Sequence, residues 1–136
     1  MKSKMIMPQE VFRVIVDDCR FRRHNGYSCV EWFFRILDGQ WAGKTLTKYN
    51  NLNGKAAAAL FAEEVSILGV SLKDYSEFRS ITPKLIGKEL YVRYGLNDGG
   101  YPQTEIDFDR TSDLHMEDIL EESWKLFPSN NTDNNI

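Results

Sequence analysis

The sequence is poor in the residues from which most catalytic and metal sites are built. It has two cysteines and two histidines in 136 residues, and their spacing matches no zinc-ligand pattern. Two cysteines are also too few for a disulfide framework. A glycine-rich phosphate loop of the P-loop or dinucleotide-binding kind is missing. We therefore expect no enzymatic activity, no metal and no cofactor.

Long apolar stretches are missing as well. No run approaches the ~20 residues that a membrane-spanning helix needs. The start of the chain carries two lysines, but the long apolar core of a secretion signal does not follow them. The length of 136 residues and the hydrophobic content of 42% fit one folded domain with one core. These features predict a cytoplasmic protein that has no membrane contact.

Charge is divided unevenly along the chain. The formal net charge is −3. Residues 1–104 contain 15 basic and 11 acidic side chains, whereas residues 105–136 contain two basic and nine acidic ones. A basic body with an acidic tail is typical of proteins that interact with a charged partner. An unevenly charged but merely solvated surface is the alternative.

The first two strands are predicted by alternation of apolar side chains. The alternation changes phase at Asp17-Asp18, which indicates a β-bulge. Asn25-Gly26 favours a two-residue type I′ turn, so that paired residues have numbers that sum to 51. Cys19 and Cys29 then lie on opposite faces, which predicts two free thiols. The predicted core face of this hairpin contains Cys19, Phe21, Val30, Trp32 and Phe34.

The rest of the pattern predicts three more strands and one main helix. The expected elements are a strand at 44–49, a helix at 55–68, a helical turn within 71–80 and strands at 90–94 and 101–108. The order β1-β2-β3-α-β4-β5 is that of the OB-fold, a five-stranded partly open barrel. An SH3-like barrel is the nearest alternative, but it leaves no room for a long helix between strands three and four.

Two segments are expected. Residues 1–110 would form the OB-fold domain, and residues 111–136 an acidic C-terminal tail. The tail would be helical from about residue 112 to Phe127, end at Pro128 and be disordered beyond it.

Aromatic and basic side chains share the face of the second strand that points away from the predicted core. Faces exposed to water are normally polar, whereas aromatic rings beside arginines suit the stacking of unpaired bases and the neutralisation of phosphates. Alternatively, the main helix, the 71–80 segment or a second subunit covers these rings. Strands three and four show a similar alternation. The predicted nucleic-acid-binding residues are Arg20, Arg22, Tyr27, Phe33, Arg35, Trp41, Lys44, Lys48, Tyr49, Tyr91, Arg93 and Tyr101.

Short motifs across residues 10–108 resemble a bacteriophage protein family first catalogued as a domain of unknown function. The motifs are Phe34-Arg35-Ile36-Leu37-Asp38-Gly39 followed by Gly43-Lys44, Leu68-Gly69, and Leu85-Ile86-Gly87-Lys88-Glu89-Leu90-Tyr91-Val92. Members of that family look like OB-fold single-stranded-DNA-binding proteins of phage replication and recombination. The resemblance implies a sequence-nonspecific single-stranded-DNA-binding protein here.

The partners follow from this interpretation. One barrel covers few nucleotides, so we expect a homo-oligomer, with a dimer favoured. The acidic tail would compete with DNA for the basic groove and would recruit replication or recombination proteins. Alternatively, its amphipathic stretch from Leu114 to Phe127 packs back on the barrel and the rest is solvated. Two other functions remain open. One is a protein-interaction module of OB or SH3-like fold, and the other is a metal-dependent nuclease or hydrolase built on Glu105, Asp107 and Asp109.

Overall fold

A computed structural model describes residues 10–126. The predicted order of three strands, a helix and two strands is confirmed. The helical turn expected within 71–80 forms and continues into a short helix, and the helix expected in the C-terminal segment is divided in two. The elements are β1 Glu10–His24, β2 Tyr27–Ile36, β3 Thr45–Asn51, α1 Lys55–Ile67, a 3₁₀ turn Tyr75–Glu77, α2 Phe78–Leu85, β4 Glu89–Leu96, β5 Pro102–Ile106, α3 Phe108–Leu114 and α4 Met116–Leu126.

The β1–β2 hairpin has the register that its turn predicts. Asn25 and Gly26 have φ of 50° and 79°, as a type I′ turn requires. Cys19 pairs with Trp32 and Arg22 with Cys29, so the sum of 51 is confirmed. The register shifts between Val16 and Asp18, which confirms the bulge. Cys19 and Cys29 are both free thiols, as predicted.

The five strands form one antiparallel sheet in the order β3-β2-β1-β4-β5. β1 pairs with β4 through residues 10–15 and with β2 through residues 14–24, and the bulge interrupts the β1–β2 pairing between Val16 and Asp18. β3 and β5 stand at the two edges of this order, yet some of their Cα atoms approach within 8 Å. The sheet is therefore strongly curved. Within residues 10–126, no ladder of paired residues joins β3 to β5, and the sheet is not closed.

The core lies between the concave face of the sheet and helices α1 and α2. Trp32 and Phe34 are fully buried, and the Trp32 ring contacts Phe61 of α1 at a centroid distance of 5.9 Å. Phe61 in turn meets Phe78 of α2 edge to face at 5.0 Å. The predicted core residues of the hairpin are confirmed, except that Phe21 is only half-buried because it lies toward the hairpin end.

The first residues of the predicted tail, which starts at residue 111, belong to a helix that packs on the sheet. The helix expected from residue 112 starts earlier, at Phe108, and is interrupted at His115 before α4 continues. Thr111 is fully buried, and its hydroxyl bonds the backbone of Tyr91 on β4. α3 thus packs against the sheet. The expectation of disorder beyond Pro128 lies outside the described residues.

Candidate nucleic-acid interface

The predicted site residues fall into three groups. The first group lies on the convex side of β1, β2 and β3, away from the core, which we call the outer face. Cross-strand pairs define it, because Arg20 lies opposite Glu31 and Glu31 lies opposite Tyr49. Residues two apart on each strand share this side. The outer face contains Arg20, Arg22, Tyr27, Phe33, Arg35 and Tyr49 of the predicted set.

Two tyrosines of the outer face are well exposed. Tyr27 is 67% and Tyr49 66% accessible. Tyr27 stands at the hairpin end, opposite His24, and Tyr49 stands on the edge strand β3. The Tyr49 hydroxyl donates a hydrogen bond of 3.0 Å to Glu31 Oε2, and this bond raises the pKa of Tyr49 above its ordinary value. Both rings are therefore accessible to a ligand.

Phe33 is half-buried and covered by an arginine. The guanidinium carbon of Arg20 lies 5.1 Å from the Phe33 ring centroid, which is cation–π geometry. Arg20 is held there by Asp18, since Nε and Oδ2 are 2.6 Å apart. The structure thus places Arg20 over this ring, and not α1 or the 71–80 segment. The exposed surface at this point is the guanidinium plane stacked on Phe33.

The arginines of the outer face all pair with carboxylates. Asp18 holds Arg20, Glu31 holds Arg22, and Asp17 holds Arg35 at 3.1 Å. The hydrogen bond from Arg20 is the main cause of the lowered pKa of Asp18. The arginine side chains are about half exposed, and such exposed pairs contribute little to stability. The outer face is therefore close to neutral, and not basic as the sequence suggested.

Lys48 does not belong to the interface, which corrects the prediction. It lies opposite Trp32 and so points to the concave side of β3. Its side chain is only 9% exposed, and Nζ lies 3.0 Å from Glu64 Oε2 of α1. Asn50 Oδ1 accepts hydrogen bonds from Lys48 Nζ and from Trp32 Nε1, and Asn50 Nδ2 donates to Glu64 Oε1. We call these four residues the buried polar network. The sequence analysis took the side of β3 with Lys48 as exposed, whereas the register places Leu46 and Lys48 opposite the core residues Phe34 and Trp32.

The second group surrounds an apolar cavity where the β2–β3 loop approaches β4. Trp41 is 45% exposed, and it lines the cavity together with Lys44, Phe12 and Tyr94. The cavity measures about 550 Å³. Trp41 and Lys44 thus line the same cavity at one end of the sheet, and they do not lie on the outer face.

The third group lies on β4 and its loop to β5. Tyr91 and Arg93 are half-buried, and they pair with Arg13 and Val11 in the first half of β1. Arg93 lies 4.0 Å from Glu105. Tyr101, in the β4–β5 loop, is 69% exposed. Arg93 and the Arg13 side chain opposite Tyr91 are both paired with carboxylates, so this group adds no unpaired arginine to the outer face.

Two arginines that the sequence analysis overlooked line a groove behind the hairpin. Arg23 shares its side of β1 with Phe21, and Arg79 comes from α2, where its guanidinium carbon lies 5.3 Å from the Phe21 ring centroid. Alternation alone could have placed Arg23 on the side of Phe21. Only the tertiary fold could bring Arg79 to it.

The acidic row proposed for a metal site does not form. β5 ends at Ile106, and Asp107 caps α3, where Arg110 binds its carboxylate at 2.6 Å. Glu105 is directed toward Gln103 and Arg93. Within residues 10–126, no three His, Cys, Asp or Glu side chains are grouped as a metal site. Burial raises the pKa of the Cys19 thiol to about 12, so this thiol stays protonated.

Comparisons with known proteins do not assign the chain to a family. No protein-family model matches the chain, and no curated protein is significantly similar to it. Among the helices of the described residues, none is both long enough and apolar enough to cross a membrane.

Proposed function

We propose that the chain is an OB-fold protein that binds single-stranded DNA with little sequence preference. The strand order, the strong curvature and the approach of β3 to β5 support a partly open barrel of that type. Because its motifs resemble the phage family, we further propose that the protein acts in DNA replication and recombination in the cytoplasm of a host cell. No cofactor is needed for this function.

The observation that carries the proposal is the outer face itself. Two exposed tyrosines, an arginine stacked on a phenylalanine and two more arginines share one side of three adjacent strands. Bases would stack on Tyr27, on Tyr49 and on the Arg20–Phe33 pair. Aromatic stacking contributes about 1–3 kcal/mol per base and tolerates any sequence.

To bind phosphates, the arginines of the outer face would exchange their carboxylate partners for phosphate oxygens. Arg20, Arg22 and Arg35 each leave a carboxylate for a phosphate when the strand binds. The carboxylates remain nearby and weaken the attraction. Binding should therefore depend on salt less steeply than three free arginines would require, with a slope smaller in magnitude than about 2.

The remaining partners are part of the proposal. A homo-oligomer, with a dimer favoured, would extend the short DNA path of one subunit. The acidic tail would contact replication or recombination proteins. In the described part of the tail, Asp118 of α4 lies 3.6 Å from His115 and packs against Gly69, so this carboxylate is not on the outer face.

Fluorescence anisotropy tests the function. A labelled thirty-nucleotide poly-dT and the matching duplex are titrated across a salt series. We expect preference for the single strand, and at least tenfold weaker binding by the variant Tyr27→Ala/Tyr49→Ala. The matched control Tyr27→Phe/Tyr49→Phe keeps both rings and should bind like the unmodified protein. If the folded protein does not bind the single strand even at low salt, the proposal fails.

The neutral outer face and the apolar cavity beside Trp41 favour a second candidate, a protein-interaction module without nucleic-acid binding. Its partner would use apolar contacts, so its affinity would hardly change with salt. Substitution Trp41→Ala would then abolish partner binding, whereas the tyrosine pair would be dispensable.

A further inference from the structure

Two of the eight arginines in the chain have no carboxylate partner among the described residues, namely Arg23 and Arg79. The six others pair with Asp or Glu, and these are Arg13, Arg20, Arg22, Arg35, Arg93 and Arg110. The two unpaired arginines come from β1 and α2, which are far apart in sequence, yet they line the same groove.

The groove lies between the end of the β1–β2 hairpin and the start of α2. It has a volume of about 440 Å³, and Phe21 and Phe78 form part of its wall. The guanidinium of Arg79 is stacked over the Phe21 ring, which holds it in one place. Among the described residues that line the groove, none is Asp or Glu.

The nearest acidic residues in sequence are already engaged. Glu77 accepts hydrogen bonds from the backbone N–H groups of Lys73 and Asp74, at 2.9 and 3.2 Å. Asp74 accepts from the backbone N–H of Ser76 at 2.7 Å, and bonds from Ser76 lower the pKa of Asp74. Both carboxylates are therefore hydrogen-bonded within the segment 73–77. Arg23 and Arg79 therefore line one concave site, and neither forms an ion pair among the described residues, although the charged Asp74 carboxylate, which bonds the groove residue Ser76, partly offsets them.

We propose that this groove binds a phosphate of the single strand that crosses the outer face, an inference that rests on the function proposed above. Arg22 and Arg23 are adjacent in β1 and project to opposite sides of the hairpin. A strand that stacks on Tyr27 at the hairpin end passes from Arg22 on one side to Arg23 on the other. The planar guanidinium groups of Arg23 and Arg79 match a phosphate with paired N–H donors, and a base stacks on the exposed plane of Arg79.

The test uses the full chain and follows the arginine side chains directly by NMR. The Nε–H signals are assigned with the single variants Arg23→Gln and Arg79→Gln and then titrated with fifteen-nucleotide poly-dT. A parallel titration uses inorganic phosphate alone. We expect poly-dT to shift the signals of Arg23 and Arg79 over the same concentration range as those of Arg20 and Arg22.

Affinity provides the second readout. The double variant Arg23→Gln/Arg79→Gln should bind poly-dT about tenfold more weakly, with a salt slope reduced by about 1. The control Lys73→Gln/Lys84→Gln removes the same charge from two exposed lysines outside the groove and should have a smaller effect. Circular dichroism on both variants confirms that they are folded, and Arg23→Lys/Arg79→Lys should recover part of the lost affinity.

The outcomes separate the two proposals. If poly-dT shifts Arg20 and Arg22 but leaves Arg23 and Arg79 unchanged, the groove is not a subsite, while the DNA-binding function stands. If poly-dT shifts none of the four, the DNA-binding function itself fails. If inorganic phosphate shifts Arg23 and Arg79 and poly-dT does not, the groove serves free phosphate and its assignment to the DNA path is overturned.

Discussion

Trp32 and Phe33 are neighbours in β2 with opposite roles. Trp32 is fully buried, touches Phe61 and donates from Nε1 to Asn50 Oδ1 at 2.6 Å. Phe33 points to the outer face, is half-buried, and has the guanidinium of Arg20 over its ring. The alternation of the strand therefore separates a residue that holds the core together from one that is available to a ligand.

Alanine at each of these two positions should have different consequences. Trp32→Ala removes a core ring and leaves Asn50 short of a donor, so we expect a loss of about 3–5 kcal/mol in the free energy of unfolding. Phe33→Ala should cost about 1–2 kcal/mol and should weaken poly-dT binding. Urea unfolding followed by tryptophan fluorescence, together with anisotropy, measures both. Equal destabilisation by the two variants would contradict the face assignment.

The buried polar network is a second feature of single residues. Lys48 and Glu64 have side chains 9% and 2% exposed, and Asn50 connects them to Trp32. A buried charge that loses its partner is costly, whereas removal of both charges is often neutral.

Lys48→Met alone should therefore lower the free energy of unfolding by about 3–5 kcal/mol, because Glu64 is left unpaired in the core. The double variant Lys48→Met/Glu64→Gln should recover most of that loss, since Gln still accepts the hydrogen bond from Asn50. The double variant should also bind poly-dT normally, because Lys48 is off the outer face. Weaker DNA binding by this stable double variant would return Lys48 to the interface.

Among the elements, α3 shows how the C-terminal part of the chain is attached to the sheet. Asp107 caps the helix by accepting from the Arg110 N–H at 3.0 Å, and Thr111 and His115 bond the backbone of β4. Burial by itself would raise the pKa of the Asp107 carboxyl. The hydrogen bonds and charge of Arg110 outweigh burial and lower this pKa.

This pKa shift predicts a pH-dependent contribution to stability. Because the pKa of Asp107 is lowered on folding, the ionised carboxylate stabilises the protein above the ordinary Asp pKa of about 4, and the contribution is lost as the pH falls through the folded-state value. Asp107→Asn should therefore lower Tm at pH 7, and the difference from the unmodified protein should shrink below about pH 4. Circular dichroism melts across pH 7 to 3 measure it.

The control for this prediction is Asp109→Asn, which removes an exposed carboxylate from the same first turn of α3. It should change Tm less at pH 7, since Asp109 is not the capping residue. A Tm difference for Asp107→Asn that stays constant or grows on acidification would refute the assigned role.

At the scale of the whole molecule, charge is distributed in pairs. The sequence divides into a basic body and an acidic tail, but the body places its outer-face arginines beside acids of the same or the next strand. Among the described residues, the two arginines without an ion pair are Arg23 and Arg79, which line one groove. The attraction between the protein and single-stranded DNA is therefore weakened by each carboxylate that stays close to the bound DNA.

Removal of two of these carboxylates should strengthen DNA binding. In Asp17→Asn/Asp18→Asn, the amides still accept hydrogen bonds, while Arg35 and Arg20 are free to contact phosphates. We expect tighter binding to poly-dT and a salt slope that is steeper by about 1. The control Glu63→Gln/Asp113→Asn makes the same change in net charge at exposed positions on α1 and α3. If both variants tighten binding equally, net charge and not the outer-face pairs controls affinity.

The sequence determined the parts of this protein that depend on neighbouring residues. The Asn25-Gly26 turn, the bulge at Asp17-Asp18 and the alternation of β2 together set the register of the hairpin, because turn geometry and the two-residue period are local properties. The order of strands and the main helix followed for the same reason. Free Cys19 and Cys29 followed directly from that register.

Only the tertiary structure decided which charged groups meet. Lys48 was assigned to the interface by alternation, but β3 presents it to Glu64 across the core. Arg79 reaches Phe21 because α2 packs beside β1. Such contacts join residues far apart in the sequence, and their partners are set by how the elements pack. Local periodicity predicts which residues share a side of a strand, while packing decides which side faces the core and what each residue contacts there.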